Sequence, residues 1–179
     1  GGIVLIAFSC FTINACTKQK YKQKAYTGPE ESLVNTFIQS NPGVTINQDH
    51  ASDIPYEYGV VFTSSKKGIL SGIGVRMPAA GSVYTVSVWD YAAATLIKRT
   101  DISNTGNASF NYTDLEAVSQ SVPIIANKKY IVSVFIKAMG QSQPWPYYYI
   151  LKPSASGSAE NYIPFTNGSL TCTGTQFTL

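Results

Sequence analysis

Histidine is almost missing from this chain: His50 is the only one among 179 residues. One imidazole cannot build the two- and three-histidine centres of catalytic zinc, and it leaves any Ser-His or Cys-His pairing a single candidate base. His50 falls in an expected loop and no serine sits in a nucleophile-elbow context, so such a pairing is not expected. Charge is scarce too, at 13% of residues, about half the usual share of a soluble domain. The carboxylates Glu57, Asp90, Asp101, Asp114, Glu116 and Glu160 are scattered between strands and offer no recurring acid/base pair of the glycosidase kind. The three cysteines form no CxxC, which excludes a disulfide framework and the common zinc spacings. These absences together predict a protein that is not an enzyme.

Long apolar runs are also absent. The one at the start, Gly1 to Thr12, is a dozen residues, and a bilayer-spanning helix needs roughly twenty. It leads into Ile13-Asn14-Ala15-Cys16 and then into the basic run Thr17-Lys18-Gln19-Lys20-Tyr21-Lys22-Gln23-Lys24. A short apolar h-region closed by a small residue and a cysteine has the form of a bacterial lipoprotein signal. Residues 1–15 are read as the remnant of that signal peptide, Cys16 as the lipidated residue and residues 16–29 as a lysine-rich tether. No initiator methionine or basic n-region precedes Gly1, and the last residues stop in mid-strand by their pattern. A fragment cut at both ends is the expectation, with a further strand or domain after Leu179.

Removing the four tether lysines from the 13 Lys and Arg leaves nine basic against ten acidic residues. The formal charge of +3 is therefore a property of the tether, and no basic face for nucleic acid follows. Tether lysines suit anionic headgroups, at about 1 kcal/mol each.

What the chain has in quantity is β-forming residue types in short alternating runs. Expected strands are 59–63, 69–77, 83–89, 95–102, 108–112, 122–125, 129–136, 147–151 and 170–179. Tyr84, Val86 and Val88 alternate on one face, as do Tyr130, Val132, Val134 and Ile136. Strand parity therefore turns Trp89 away from the core face. Leu33, Val34, Phe37 and Ile38 stand at helical spacing in residues 30–40, where a short helix and a strand are both open readings. The stretch through His50 and Pro55 reads as a loop. Gly, Pro, Asn and Ser turns between the strands, with no crossover helices, predict an all-β antiparallel sandwich or jelly roll forming a single domain over residues 30–179.

Four of these segments carry a resemblance. Tyr58-Gly-Val-Val-Phe-Thr-Ser64, Gly68-Ile-Leu-Ser-Gly-Ile-Gly-Val75, Tyr84-Thr-Val-Ser-Val-Trp-Asp90 and Ile124-Ile-Ala-Asn-Lys-Lys-Tyr-Ile-Val-Ser133 resemble, in order and spacing, the domain of unknown function 4082 family. The resemblance covers roughly residues 58–136. It implies a β-sandwich of bacterial surface proteins found beside carbohydrate-active modules, with no catalytic residues to carry over. Ala92-Ala93-Ala94 departs from the pattern, since relatives place a glycine-containing turn there.

Aromatic side chains are the leading candidates for a site. Trp145 lies in Gln143-Pro-Trp-Pro-Tyr-Tyr-Tyr149, where two prolines impose an extended loop before a strand. Flat aromatic faces on a rigid scaffold bind sugar rings while neighbouring polar groups supply hydrogen bonds. Trp145, Tyr147, Tyr149 and Trp89 are therefore the candidate ligand-binding residues. The competing expectation for both tryptophans is that they cap an end of the sandwich. Asp49 and Asp53, near Asn47, form the best local cluster for a structural calcium, although no Asp-x-Asp-x-Asp signature is present. The sequence thus points to a lipid-anchored envelope module binding a glycan, on the outer membrane with the cell surface favoured over the periplasmic face. The alternative is a structural or adhesive subunit that contacts envelope proteins.

Overall fold

The computed structural model describes residues 32–43, 45–50, 55–77, 81–105, 111–114, 121–137, 147–152 and 162–178, with 45–50, 111–114, 147–152 and 176–178 described by their backbone alone. The chain order is helix α1 (Leu33–Ser40), then β1 (Thr45–His50), β2 (Tyr56–Ser64), β3 (Gly68–Leu70), β4 (Gly72–Val75), β5 (Val83–Asp90), β6 (Thr95–Ser103), β7 (Asn111–Asp114), β8 (Val122–Ile124), β9 (Lys129–Ile136), β10 (Tyr147–Lys152), β11 (Phe165–Asn167) and β12 (Leu170–Thr178). Six strands form one antiparallel sheet in the order β11-β12-β2-β9-β5-β6. The remaining strands pair as β3-β8, β4-β7 and β1-β10.

The fold is all-β and sandwich-like, because alternation gives each strand of the large sheet one apolar side. Tyr84, Val86 and Val88 of β5, Ile102 of β6 and Ile136 of β9 bury that side against Ile73, Val75 and Met77, in and just beyond β4. A second cluster joins Phe62 and Tyr130 to Val122 and Ile124 of β8. Leu70 and Val132 touch both clusters and make the core continuous. Val86 and Val88 are 1% and 0% exposed, so each contributes about the 1.5–3 kcal/mol of a fully buried aliphatic side chain.

Tyr130 fixes the corner where the chain leaves the small layer for the large sheet. Asn127 takes a left-handed turn conformation, φ 62°, which Asn tolerates better than most residues. The buried Tyr130 hydroxyl then accepts the Ile125 N–H at 3.0 Å. A tyrosine at the start of a strand, bonded back to the backbone a few residues upstream, is the corner device of Greek-key sandwiches.

At the far edge, α1 covers the β11–β12 hairpin. Phe37 stacks on Phe165 at 4.1 Å and meets Tyr162 edge-on at 5.3 Å. Leu33 packs on the second cluster. Asn41 ends the helix by donating its Nδ2 to the Phe37 carbonyl at 2.7 Å.

Three expectations need correction. The stretch ending at His50 is not a loop but strand β1, paired antiparallel with β10 from Thr45↔Lys152 to His50↔Tyr147. Its sequence, TINQDH, carries little strand propensity of its own, and its ladder comes from a partner about a hundred positions away. The single strand expected over 69–77 is two, because the chain changes partners at Ser71, from β8 to β7. Its alternation still holds, and Ile73, Val75 and Met77 are all buried. The strand expected at 108–112 runs Asn111–Asp114, and residues 108–110 lie outside the described residues. Strand β11 was not expected, although Asn167-Gly168 is the commonest short hairpin signal and Gly168 has φ 58°.

Candidate functional site

The outward side of the six-stranded sheet follows from the same alternation. Between Val86 and Val88 the chain turns Ser87 outward, and beyond Val88 it turns Trp89 outward, as parity predicts. In register, Ser87 lies opposite Ser133 of β9 and Arg99 of β6, and Ser133 lies opposite Gly59 of β2. Trp89 lies opposite Ile131. Four strands thus place Gly59, Ser133, Ser87 and Arg99 in one row, with Trp89 and Ile131 in the next.

Hydrogen bonds tie these residues into a unit. The Trp89 indole N–H donates to Ser133 Oγ at 2.9 Å and to Glu57 Oε1 at 3.2 Å. The Ser133 hydroxyl in turn donates to the same Glu57 oxygen at 2.6 Å. Arg99 Nε donates to Ser87 Oγ at 3.1 Å, and its guanidinium carbon stands 5.8 Å from the centre of the Trp89 ring. Ser87 and Ser133 are 0% and 4% exposed, and each hydroxyl is bonded to a larger neighbour, as buried polar groups require. Trp89 lies on the sheet's outer side, half-buried, with its N–H held two strands away.

Gly59 makes room in this row. A Cβ there would meet Ile131 Cγ2 at 2.6 Å and Ser133 Cβ at 3.1 Å, and neither belongs to a flexible chain end. A glycine inside a strand commonly marks such a close approach.

The rim of the site is the β5–β6 hairpin. Asp90 Oδ1 accepts the N–H groups of Ala92 and Ala93 at 3.1 and 3.2 Å, and Oδ2 forms an ion pair with Lys128 of the β8–β9 corner. The Lys128 hydrogen bond first, and the Ala93 N–H next, hold the Asp90 carboxyl below the usual carboxylate range. The same partnership raises the Lys128 ammonium. Ala94 completes the turn at φ 50°, a conformation that glycine takes freely and alanine does not. Ala94 therefore sits where a glycine would fit. A bulge at the same end lets β6 pass from Val88↔Lys98 to Trp89↔Leu96, leaving Ile97 as the extra residue.

No protein-family model matches this chain. No curated protein matches it either. The four segments quoted from the sequence correspond to β2, to β3 with β4, to β5, and to the corner leading into β9.

Of the other candidate residues, Cys16, Asp53 and Trp145 lie outside the described residues. Tyr147 and Tyr149 stand in β10 opposite His50 and Gln48, and Asp49 stands in β1 opposite Tyr148. Among the described residues no three His, Cys, Asp or Glu side chains gather as metal ligands. Cys172 is buried and its thiol is pushed up by desolvation, the behaviour of a small hydrophobe. Sequence reasoning placed Trp89 outward but missed Ser87, Ser133, Arg99 and Glu57 as its neighbours. The parity of Ser87 and Ser133 was legible, whereas the adjacency of β9, β5 and β2 was not.

Proposed function

We propose that this chain is a non-catalytic binding or accessory module of the cell envelope whose ligand is a glycan, taken on the outer side of the six-stranded sheet around Trp89. The observation that carries this reading is the immobilised indole of Trp89, with the Ser87 and Ser133 hydroxyls and the Glu57 and Arg99 side chains around it. An aromatic surface fixed on a rigid scaffold with hydrogen-bonding groups at its margin is what sugar recognition needs. Trp145, Tyr147 and Tyr149 are proposed as further contacts.

The module is tethered through lipid at Cys16 and faces outward from the outer membrane. Cys16→Ser in the complete precursor is expected to block labelled-palmitate incorporation and cleavage. Protease shaving of intact cells, with a periplasmic control left intact, is expected to remove the domain.

For the ligand, a glycan array followed by calorimetry is the test. Saturable binding that falls at least about tenfold in Trp89→Ala, with the circular dichroism spectrum retained, supports the reading. A second reading, docking of envelope proteins, draws on the exposed Val83, Leu96, Ile97 and Phe135. Absence of sugar binding together with saturable co-purification of one envelope protein would favour it.

A further inference from the structure

We infer that the glycan bound at this surface is acidic, and that Arg99 receives the carboxylate of a uronic acid whose ring rests against Trp89. This inference depends on the glycan reading of the same site and adds its charge class. Arg99 is exposed on β6, yet its side chain is steered from two sides, by the Nε bond to Ser87 and by the neighbouring indole. A guanidinium has five N–H donors; with Nε–H given to the buried Ser87 hydroxyl, four remain on the two terminal nitrogens.

Two nearby carboxylates on this side each have one oxygen engaged elsewhere. Glu57 Oε1 accepts from Trp89 and Ser133, and Asp101 Oδ1 accepts the Thr85 hydroxyl at 2.7 Å. Among the described residues the ion pair present joins Lys128 to Asp90, and Arg99 takes part in none. A planar fork steered by Ser87, with no anion paired to it among the described residues, is matched by a carboxylate in bidentate geometry, which a neutral sugar cannot supply.

The arrangement also gives a direction. The 5.8 Å between guanidinium and indole centre is near the outer limit of a cation–π contact, about 6 Å. One sugar residue bridges that separation, with its ring at Trp89 and its carboxylate at Arg99. At the opposite margin Glu57 accepts hydrogen bonds and repels a second carboxylate, so hydroxyl groups are selected there. The platform is cationic toward β6 and anionic toward β2.

The test uses oligomers of galacturonate, glucuronate and mannuronate beside their methyl esters and neutral hexose oligomers, titrated calorimetrically into the lipid-free mature protein. At least one acid form is expected to bind about tenfold or more tightly than its ester, with affinity falling as salt rises. Arg99→Gln should erase that preference, and Arg99→Lys should restore only part of it, because a point charge lacks the fork. Trp89→Ala should weaken acid and ester alike. Equal binding of acid and ester, or a preference that survives Arg99→Gln, overturns the acidic assignment and leaves the glycan reading standing. Binding of neither acidic nor neutral oligomers overturns both.

Discussion

In the middle of strand β5 the two sides are buried equally, by different means. Val86 and Val88 are buried on the inner side among apolar neighbours, while Ser87 between them is as completely buried on the outer side and is satisfied by Arg99. The inner side is stabilised by removing apolar surface from water, a roughly additive and non-directional effect. The outer side depends on directional bonds that must all be made, because an unpaired buried polar group costs about 1–3 kcal/mol. Hydropathy therefore reports only the inner side, and the outer side becomes visible only when the strands are set in order.

The largest effect expected from this contrast is Val86→Asp, which buries an unpaired charge in the first core cluster and should abolish folding. Thr85→Lys, one position away and directly opposite Asp101, should leave the urea midpoint within about 0.5 kcal/mol of wild type. If both variants unfold, the two sides of the sheet are not independent.

Gly59→Ala tests the outer side. Its methyl must displace Ile131 and Ser133, and overpacking of this kind costs about 1–3 kcal/mol. Denaturant unfolding should show that loss, and sugar binding should weaken because the Ser133 anchor of Trp89 shifts. An unchanged midpoint would mean that the row is loosely packed.

Ala94→Gly is expected to act in the opposite direction. Relief of a left-handed alanine is worth about 1–2 kcal/mol, and the extra freedom of glycine in the unfolded chain returns about 0.4–1 kcal/mol of that. A small rise in melting temperature should result, and a fall would show that the turn is not strained.

The smallest effect is expected at Asp90. Its carboxyl is held below the usual range by Lys128, so its contribution is present at neutral pH and is lost as pH falls through the acid range of the folded carboxyl. Asp90→Asn should therefore be slightly less stable near neutrality, and the difference should shrink as pH falls below the usual carboxylate range. A difference that is constant with pH would assign the effect to the Ala92 and Ala93 hydrogen bonds instead of the ion pair.

How much of this was legible in the sequence depended on whether the cause was local. The alternation of β5 and β9 gave their inward residues and the outward turn of Trp89, because a two-residue period needs only the strand itself. Helix α1 was an open reading because eight residues are too few for propensity to decide, and Phe165, far along the chain, completes its apolar face. Strand β1 was missed for the same reason, since its polar residues are held by β10. The outward placement of Trp89 was legible from strand parity. Its partners Glu57, Ser133 and Arg99 come from three other strands, and nothing in their own segments points at it.

The place of β12 has a consequence for how this molecule is made. It completes the middle of the sheet by pairing with β2, from Leu170↔Ser64 to Thr178↔Glu57, across a separation of more than a hundred residues; Ser64 Oγ to Ser169 Oγ spans 105. Until that segment arrives, β2 has β9 on one side and an open edge on the other. Closure over so long a loop places folding in the slow regime of β-rich topologies, about milliseconds to seconds, and an unpaired edge is vulnerable to association in that interval. The nascent chain is therefore best served by being kept unfolded until β12 has been delivered.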